Sequence, residues 1–303
     1  MKRILITGGL GYIGTELCKV LLSNGYKNII VIDNKFNSER VSFLIANGVK
    51  FFERDLFDIK DLLKESDICY HLAGITDVPQ TRTQSTPEKD KEIIRIGTDV
   101  TRYIIENLPQ FCKIVFMSTQ VVYDGLKEPM FNLKEDFEPC PIVAYSISKW
   151  QSERDLLYSN KTNYLIIRLA SVYGHNESVR WKILPNLFSK LTAQDKNLKV
   201  FGANNIKPFV SVRDVANCLE FLVRNEYNKE IFHCVNENLS VIEVANICQQ
   251  FNPKINIEII NEPTPNQGFS LSNDKLLKTG FKFYRSIENE MSNMIEKWSN
   301  KCI

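Results

Sequence analysis

The sequence predicts a doubly wound α/β fold, a parallel sheet with helices on both faces, and three observations carry that expectation. Short apolar runs alternate with longer amphipathic ones through the first half of the chain. Within each short run the apolar residues are consecutive rather than alternate, as strands buried on both faces require. A glycine-rich turn, Thr7-Gly8-Gly9-Leu10-Gly11-Tyr12-Ile13-Gly14, joins the first apolar run to the first amphipathic one.

In chain order, Lys2–Thr7 reads as the first strand and Tyr12–Asn24 as the first helix. Ile29–Asp33 and Lys50–Arg54 follow as strands, then Phe57–Lys64 as a short helix. Ile68–Ala73 and Lys113–Ser118 are further strands, separated by a long helix over about Lys89–Asn107. A helix at about Ala144–Tyr158 leads into the strand Tyr164–Leu169. Parallel strands joined through helices take right-handed crossovers. After Gly174 the pattern loosens into a helix near Ile183–Thr192, a strand at Leu198–Gly202 and a helix at Val212–Arg224. Breakers at Pro253, Pro263 and Pro265 precede a last helix near Ser286–Trp298. The change near residue 174 predicts a first domain over residues 1–174, to which about 203–225 returns, and a smaller α/β lobe over 175–303.

Composition excludes several classes of protein. With 303 residues, 44% hydrophobic and 24% charged, the chain can bury a large core and is neither disordered nor fibrous. Lys plus Arg number 38 against 36 acidic residues, so nothing calls for nucleic acid or an anionic membrane as partner. No run approaches the roughly 20 apolar residues of a membrane span. The basic start Met1-Lys2-Arg3 is followed by an apolar stretch ending at Thr7, too short for a signal peptide. Eight cysteines form no Cys-x-x-Cys and no cluster with histidine, so no metal and no disulfide framework is expected. They read as small buried hydrophobes of a cytoplasmic protein. His71 ends an apolar strand and reads as a satisfied core residue.

The glycine turn predicts a dinucleotide site. Gly8, Gly11 and Gly14 permit a tight turn, close approach to a pyrophosphate and close helix–strand packing. The helix start at Tyr12 and Ile13 offers N–H groups and a positive dipole end to the phosphates. Asp33 ends the second strand about 20 residues on, where a carboxylate accepts ribose hydroxyls and repels a 2′-phosphate. NAD is therefore the expected cofactor.

Tyr145-Ser146-Ile147-Ser148-Lys149 places a phenol and an ammonium four residues apart, on one helical face. The cation favours the phenolate, which fits Tyr145 for proton exchange with a substrate hydroxyl. The run Phe116-Met117-Ser118-Thr119-Gln120-Val121 ends a strand at the carboxyl edge of the sheet, where ligands bind in open α/β folds. Ser118 is placed beside the cofactor there.

Together these motifs resemble the extended short-chain dehydrogenases/reductases, and within them the NAD-dependent nucleotide-sugar epimerase/dehydratase family, with its Rossmann domain. The resemblance runs from Thr7 to the final helix, and its early part is nearest to UDP-glucose 4-epimerases. It implies that Asp33, Asn34, Asn37 and Ser38 surround the adenosine ribose, that Asp55 and Leu56 meet the adenine, and that Leu72, Ala73 and Gly74 lie along the cofactor. It implies Thr119 as the catalytic hydroxyl, Tyr145 as the acid/base and Lys149 as its partner on the nicotinamide ribose. Thr119 and Tyr145 would meet the reacting sugar oxygen. Ser171, in Ser171-Val172-Tyr173-Gly174, stands where the family has an Asn that leads into the sugar pocket. Lys182, Phe201 and Lys207 fall at nucleotide-, base- and diphosphate-lining positions, with Phe201 equally readable as a core aromatic and both lysines equally readable as solvated surface residues.

The departures are informative. Dehydratases carry Asp-Glu directly after the catalytic Thr, whereas this chain has Gln120-Val121, which argues against dehydration. Lys207 replaces the family's diphosphate-gripping Arg, giving a point charge without the bidentate fork. Pro265-Asn266-Gln267-Gly268 offers no second Arg. The expected activity is NAD-dependent epimerisation of a nucleotide-diphosphate sugar at C4 through a 4-keto intermediate, in a homodimer. The rival readings are a 4-keto-sugar reductase or dehydrogenase using NAD(P)H and, since Tyr145, Lys149 and the glycine turn all remain, less readily a non-catalytic NAD-binding relative.

Overall fold

A computed structural model describes residues 2–75, 85–262, 264 and 267–299. Pro263, Pro265, Asn266 and Cys302 lie outside the described residues. In chain order the strands and helices are β1 (Ile4–Thr7), α1 (Tyr12–Ser23), β2 (Ile29–Asp33), α2 (Ser38–Ala46), β3 (Lys50–Glu53), α3 (Lys60–Lys64), β4 (Ile68–His71), α4 (Pro87–Asn107) and β5 (Lys113–Thr119). Then come β6 (Met130–Leu133), α5 (Ala144–Leu157), β7 (Tyr164–Leu169), β8 (Ser171–Tyr173), α6 (Leu184–Ala193), β9 (Leu198–Phe201) and β10 (Ile206–Ser211). The chain continues through α7 (Val212–Arg224), β11 (Glu230–Cys234), β12 (Glu237–Ser240), α8 (Val241–Phe251), β13 (Ile257–Ile260), β14 (Phe269–Leu271), α9 (Asp274–Leu277) and α10 (Ile287–Ser299).

The chain divides into two compact units. The first comprises Met1–Gly125, Glu138–Arg168 and Ala216–Phe232. Its centre is a seven-stranded sheet ordered β11-β7-β5-β4-β1-β2-β3. The pairings of β1 with β2 and β4, of β2 with β3 and of β4 with β5 are all parallel. Consecutive residues Ile4, Leu5 and Ile6 of β1 are each fully buried, which explains the unbroken apolar run in the sequence. Leu5, Ile30, Ile32, Cys69, Ile114 and Phe116 form one face of the sheet and pack with Leu62 and Leu63 of α3, Val100 and Ile104 of α4 and Leu156 of α5. Burying each such side chain contributes about 1.5–3 kcal/mol.

The second unit comprises Leu126–Phe137, Leu169–Val215 and His233–Ile303. Within it lie a three-stranded sheet ordered β12-β10-β8 and the parallel pairs β13–β9 and β14–β6. Its own core gathers Tyr173, Phe188, Leu198, Val200 and Phe209 with Val244 and Cys248 of α8 and Met291, Met294 and Trp298 of α10.

Two features differ from the sequence reading for local reasons. The expected helix over Phe57–Lys64 is interrupted: Asp55 accepts the Phe57 N–H and starts a 3₁₀ turn at Leu56–Asp58, and α3 begins only at Lys60. Helices α2 and α8 carry start signals that the apolar periodicity hid. Asn37 caps α2 by accepting the Arg40 N–H, and Ser240 with Glu243 forms a reciprocal capping box on α8. Six of the described cysteines, at 18, 69, 112, 218, 234 and 248, are buried, and Cys140 is half-buried. No described helix is long and apolar enough to cross a membrane.

Gly9 sets how closely the glycine turn packs on β2. A Cβ built there would lie 2.5 Å from Val31 Cγ1, and the β-branched valine is stiff. Gly9→Ala should lower the unfolding free energy by about 1–3 kcal/mol in urea denaturation. Val31→Ala, destabilising by itself, should cost less in the Gly9→Ala background; strict additivity would show that this contact is not the cause.

Candidate active site

The first unit brings its motif residues to the carboxyl ends of the strands, where the sheet order reverses between β1 and β4. Gly8 follows β1 with φ +69°, and its N–H donates to the Ile32 carbonyl at 2.7 Å. A Cβ on Gly8 would lie 2.8 Å from the Ala73 N and Cα, and one on Gly14 would lie 2.6 Å from the Gly8 O. Both positions therefore demand glycine, and the backbone forms a cradle that side chains would fill. Helix α1 starts on Gly11, which supplies no side-chain cap, and carries no acidic residue in its first turn. The turn and the first residues Tyr12 and Ile13 thus present backbone and a positive dipole end, which suits a pyrophosphate.

Asp33 stands at the end of β2, half-buried. One carboxylate oxygen accepts the Leu10 N–H at 3.1 Å and the other the Lys35 N–H at 3.1 Å. Burial pushes its pKa up, and these backbone hydrogen bonds with the Lys35 charge oppose that rise. Each oxygen keeps a further lone pair for a ribose hydroxyl. Asn34 and Ser38 are exposed beside it, while Asn37 uses its amide oxygen as the α2 cap. Arg40, which the sequence offers either as a contact to the adenosine edge or, more readily, as a surface salt bridge, donates to the Leu10 carbonyl and so ties α2 to the glycine turn. Asp55 is exposed and Leu56 half-buried at the start of the 3₁₀ turn.

The catalytic candidates converge on the end of β5. Thr119 is 7% exposed, and its hydroxyl oxygen accepts the Val121 N–H at 3.2 Å. Asp124 then holds the start of α5: its two carboxylate oxygens accept the Ile142 N–H at 2.7 Å and the Ser146 hydroxyl at 2.8 Å. That anchor places Tyr145 in the first turn of α5, half-buried. Lys149, one turn further, is buried, donates to the Met117 carbonyl at 2.8 Å and lies 4.8 Å from the centre of the Phe116 ring. A Cβ built on Gly74 would be 3.8 Å from its Nζ, so the segment Leu72-Ala73-Gly74 runs beside the ammonium. Burial lowers the Lys149 pKa to about 8, and the charge of Glu153 offsets part of that effect.

A buried ion pair that the sequence reading missed stands behind this pair. Arg168 donates from Nη2 to Glu153 Oε2 at 2.8 Å and from Nε to Oε1 at 3.1 Å, with exposures of 2% and 0%. Arg168 Nη1 also donates to the Tyr123 hydroxyl at 2.6 Å, and the Ser118 hydroxyl donates to Glu153. With its hydroxyl committed there, Ser118 has its backbone to offer a cofactor. Glu153 follows Lys149 by four residues, a signal that could have been read as helical spacing.

In the second unit, Ser171 is half-buried on β8 and Lys182 is exposed before α6. Phe201 is 45% exposed at the end of β9, which removes the core reading. Lys207, on β10 opposite Leu239, is half-buried, and its pKa is lowered by burial alone. Among the described residues its ammonium has no hydrogen-bond or ion-pair partner.

Fold and site together define an NAD-binding protein of the doubly wound α/β class. The profile of the NAD dependent epimerase/dehydratase family matches residues 4–236, and the chain belongs to that family. The chain is 26% identical over 287 residues to an ADP-L-glycero-D-manno-heptose-6-epimerase of Brachyspira hyodysenteriae, covering 88% of this chain and 86% of that protein. It is 29% identical over 243 residues to a UDP-glucose 4-epimerase of Bacillus subtilis, covering 70% of each. The fold is similar to a crystal structure of UDP-glucuronic acid 4-epimerase from Bacillus cereus in complex with UDP-glucuronic acid and NAD. The TM-score is 0.81 at 21% identity, over 97% of this chain and 99% of that one.

Two measurements check these electrostatics. Glu153→Gln strands the Arg168 charge and should lower the unfolding free energy by about 3–5 kcal/mol; a loss below about 1 kcal/mol would show that the pair is not formed. Burial, then the Lys149 charge, lowers the His71 pKa to about 3. Unfolded histidine titrates near 6.5, so between these values the unfolded chain binds the extra proton. His71 should therefore make stability fall as pH drops through that window, and His71→Phe should flatten that part of the profile.

Proposed function

We propose that this chain epimerises a nucleotide-diphosphate sugar at C4, using NAD held at the glycine turn. The observation that carries the reading is the Lys149 ammonium, fixed on the Met117 carbonyl beside Gly74 and one helical turn from Tyr145. Gly8, Gly11, Tyr12, Ile13 and Gly14 would hold the pyrophosphate, Asp33 with Asn34, Asn37 and Ser38 the adenosine ribose, and Asp55 and Leu56 the adenine. Leu72, Ala73, Gly74 and the Ser118 backbone would line the nicotinamide half. NAD, when bound, would supply a reversible acceptor for the hydride of the sugar carbon.

The protein's part is proton transfer and orientation. Tyr145, as phenolate, takes the proton of the reacting hydroxyl and later gives it back. Lys149 stabilises that phenolate by its charge and would hold the nicotinamide ribose. Thr119, fixed as the cap of the turn after β5, hydrogen-bonds the same sugar oxygen. Gln120 and Val121 carry neither acid nor base at the positions that eliminate water in dehydratases, so the oxidised sugar is reduced again rather than dehydrated.

Substrate binding falls to the second unit. At Lys207 a half-buried ammonium with no counter-ion among the described residues suits a diphosphate, whose charge would offset the burial that lowers its pKa. Lys182 supplies a further charge, Phe201 an apolar face for the base, and Ser171 a hydroxyl where relatives have an amide. The family resemblance also supports a homodimer joined through α4 and α5, and the described cysteines, unpaired and mostly buried, support a cytoplasmic location.

Tyr145→Phe should lower kcat by at least about 100-fold while NAD affinity, read by titration, stays within a factor of about 3. Unchanged turnover would overturn the mechanism. Denaturing freshly purified protein should release near-stoichiometric NAD, as expected of an enzyme that recycles its cofactor in place. A site that empties on purification and refills with NADH would favour the 4-keto-sugar reductase.

A further inference from the structure

His71 lies outside the machinery described above, yet it sits in the middle of an unbroken line of buried hydrogen bonds. Its Nδ1 is 2.8 Å from the Thr7 hydroxyl, and its Nε2 is 3.1 Å from the Thr101 hydroxyl on α4. Thr7 and Thr101 are 0% and 1% exposed, and His71 is 2% exposed, so water does not substitute for these partners.

The direction of every bond in the line follows from proton counting. The single hydroxyl hydrogen of Thr101 goes to the Gly97 carbonyl at 2.7 Å, so toward His71 this oxygen can only accept. Nε2 must therefore carry the imidazole proton. Burial and the nearby Lys149 charge keep the ring neutral, which leaves Nδ1 as an acceptor. The Thr7 hydroxyl donates to it, and the Thr7 oxygen accepts the Ala73 N–H at 3.3 Å. The line runs one way, from Ala73 N–H through Thr7, His71 and Thr101 to the Gly97 carbonyl.

Both ends matter to the site. Ala73 is the residue whose backbone meets Gly8, 2.8 Å from where a Cβ would stand. Gly97 is where α4 meets α5: the Ser152 hydroxyl donates to the same carbonyl at 3.0 Å, and a Cβ on Gly97 would lie 2.7 Å from the Ser148 Oγ. That Ser148 hydroxyl in turn donates to the carbonyl of Tyr145 at 2.8 Å. The Phe116 ring, 5.9 Å from the imidazole, is also the ring under Lys149.

We propose that His71 is a positioning residue that registers the cofactor cradle, at Gly8 and Ala73, against the helix that presents Tyr145 and Lys149. It does so by supplying one donor and one acceptor at a fixed separation inside a dry site, where an unpaired partner is costly. The inference rests on the proposed roles of Tyr145 and Lys149, but its cofactor half stands on NAD binding alone.

The test compares His71→Phe, which keeps a ring and loses both polar atoms, with His71→Gln, which restores a donor and an acceptor. His71→Phe, folded by circular dichroism, should weaken NAD binding and lower kcat by about tenfold each, the scale of one buried polar group left unpaired. The KM for UDP-glucose should change by less than about twofold, because the sugar-nucleotide ligands are not displaced. His71→Gln should recover at least half of both losses. Thr101→Val, which keeps the shape and removes the acceptor, should reproduce the same split at roughly threefold and serves if His71→Phe does not fold. A folded His71→Phe or Thr101→Val with NAD affinity and kcat within twofold of the parent overturns the proposal. So does a His71→Gln variant no better than His71→Phe. Should the parent bind NAD and epimerise no sugar, the functional reading fails while the NAD titrations still decide the role of His71.

Discussion

The close backbone approach of Gly8 to Ala73 is the constraint on which the first unit depends. It occurs where the sheet order reverses, with β1 between β2 and β4, so two strands release their chains side by side. A crevice between those chain ends follows from the topology, and a doubly wound sheet places its ligand there. Everything else at the site is arranged around that opening. The glycines keep it narrow, α1 aims its positive end into it, and β5 delivers Thr119 and the carbonyl that holds Lys149.

Charge is partitioned with some economy around the proposed catalytic pair, Tyr145 and Lys149. Glu153 lies one turn past Lys149, and a free carboxylate there would draw the ammonium toward itself. Instead both of its oxygens are engaged by Arg168, and Ser118 donates to it as well. The Lys149 ammonium is held by a neutral carbonyl and an aromatic face, so its positive charge remains available toward Tyr145 and the cofactor. Buried pairs of this kind add little net stability over an apolar core, and their value lies in fixing orientation.

The fold of the first unit was legible because its strands are buried on both faces and its punctuation is glycine. The candidate-site residues of the glycine turn, Asp33, Tyr145 and Lys149 were legible for a different reason, since the chemistry proposed for them calls for fixed local spacing. Partners far apart in sequence were not. Nothing local joins Glu153 to Arg168, or His71 to Thr7 and Thr101, because those bonds arise only when crossovers bring β4, β7, α4 and α5 together. Gly9 was passed over since its reason is the Val31 side chain on a neighbouring strand. The second unit has short strands at irregular spacing, so β8, β10 and β12 left no periodic trace, and the exposure of Phe201 could not be read at all.

The double engagement of Asp33 has an evolutionary consequence. The same carboxylate that would select against a 2′-phosphate also accepts the Leu10 N–H, and Arg40 holds the Leu10 carbonyl from the other side. Exchanging Asp33 for a small neutral residue, the simplest first move toward NADP, would also remove the hydrogen bond that the carboxylate accepts from the Leu10 N–H. On the proposed role of Asp33, cofactor preference and the tie to the glycine turn are inherited together. A lineage drifting toward the phosphorylated cofactor would have to give up that tie between β2 and the glycine turn along with acquiring any new cation for the phosphate.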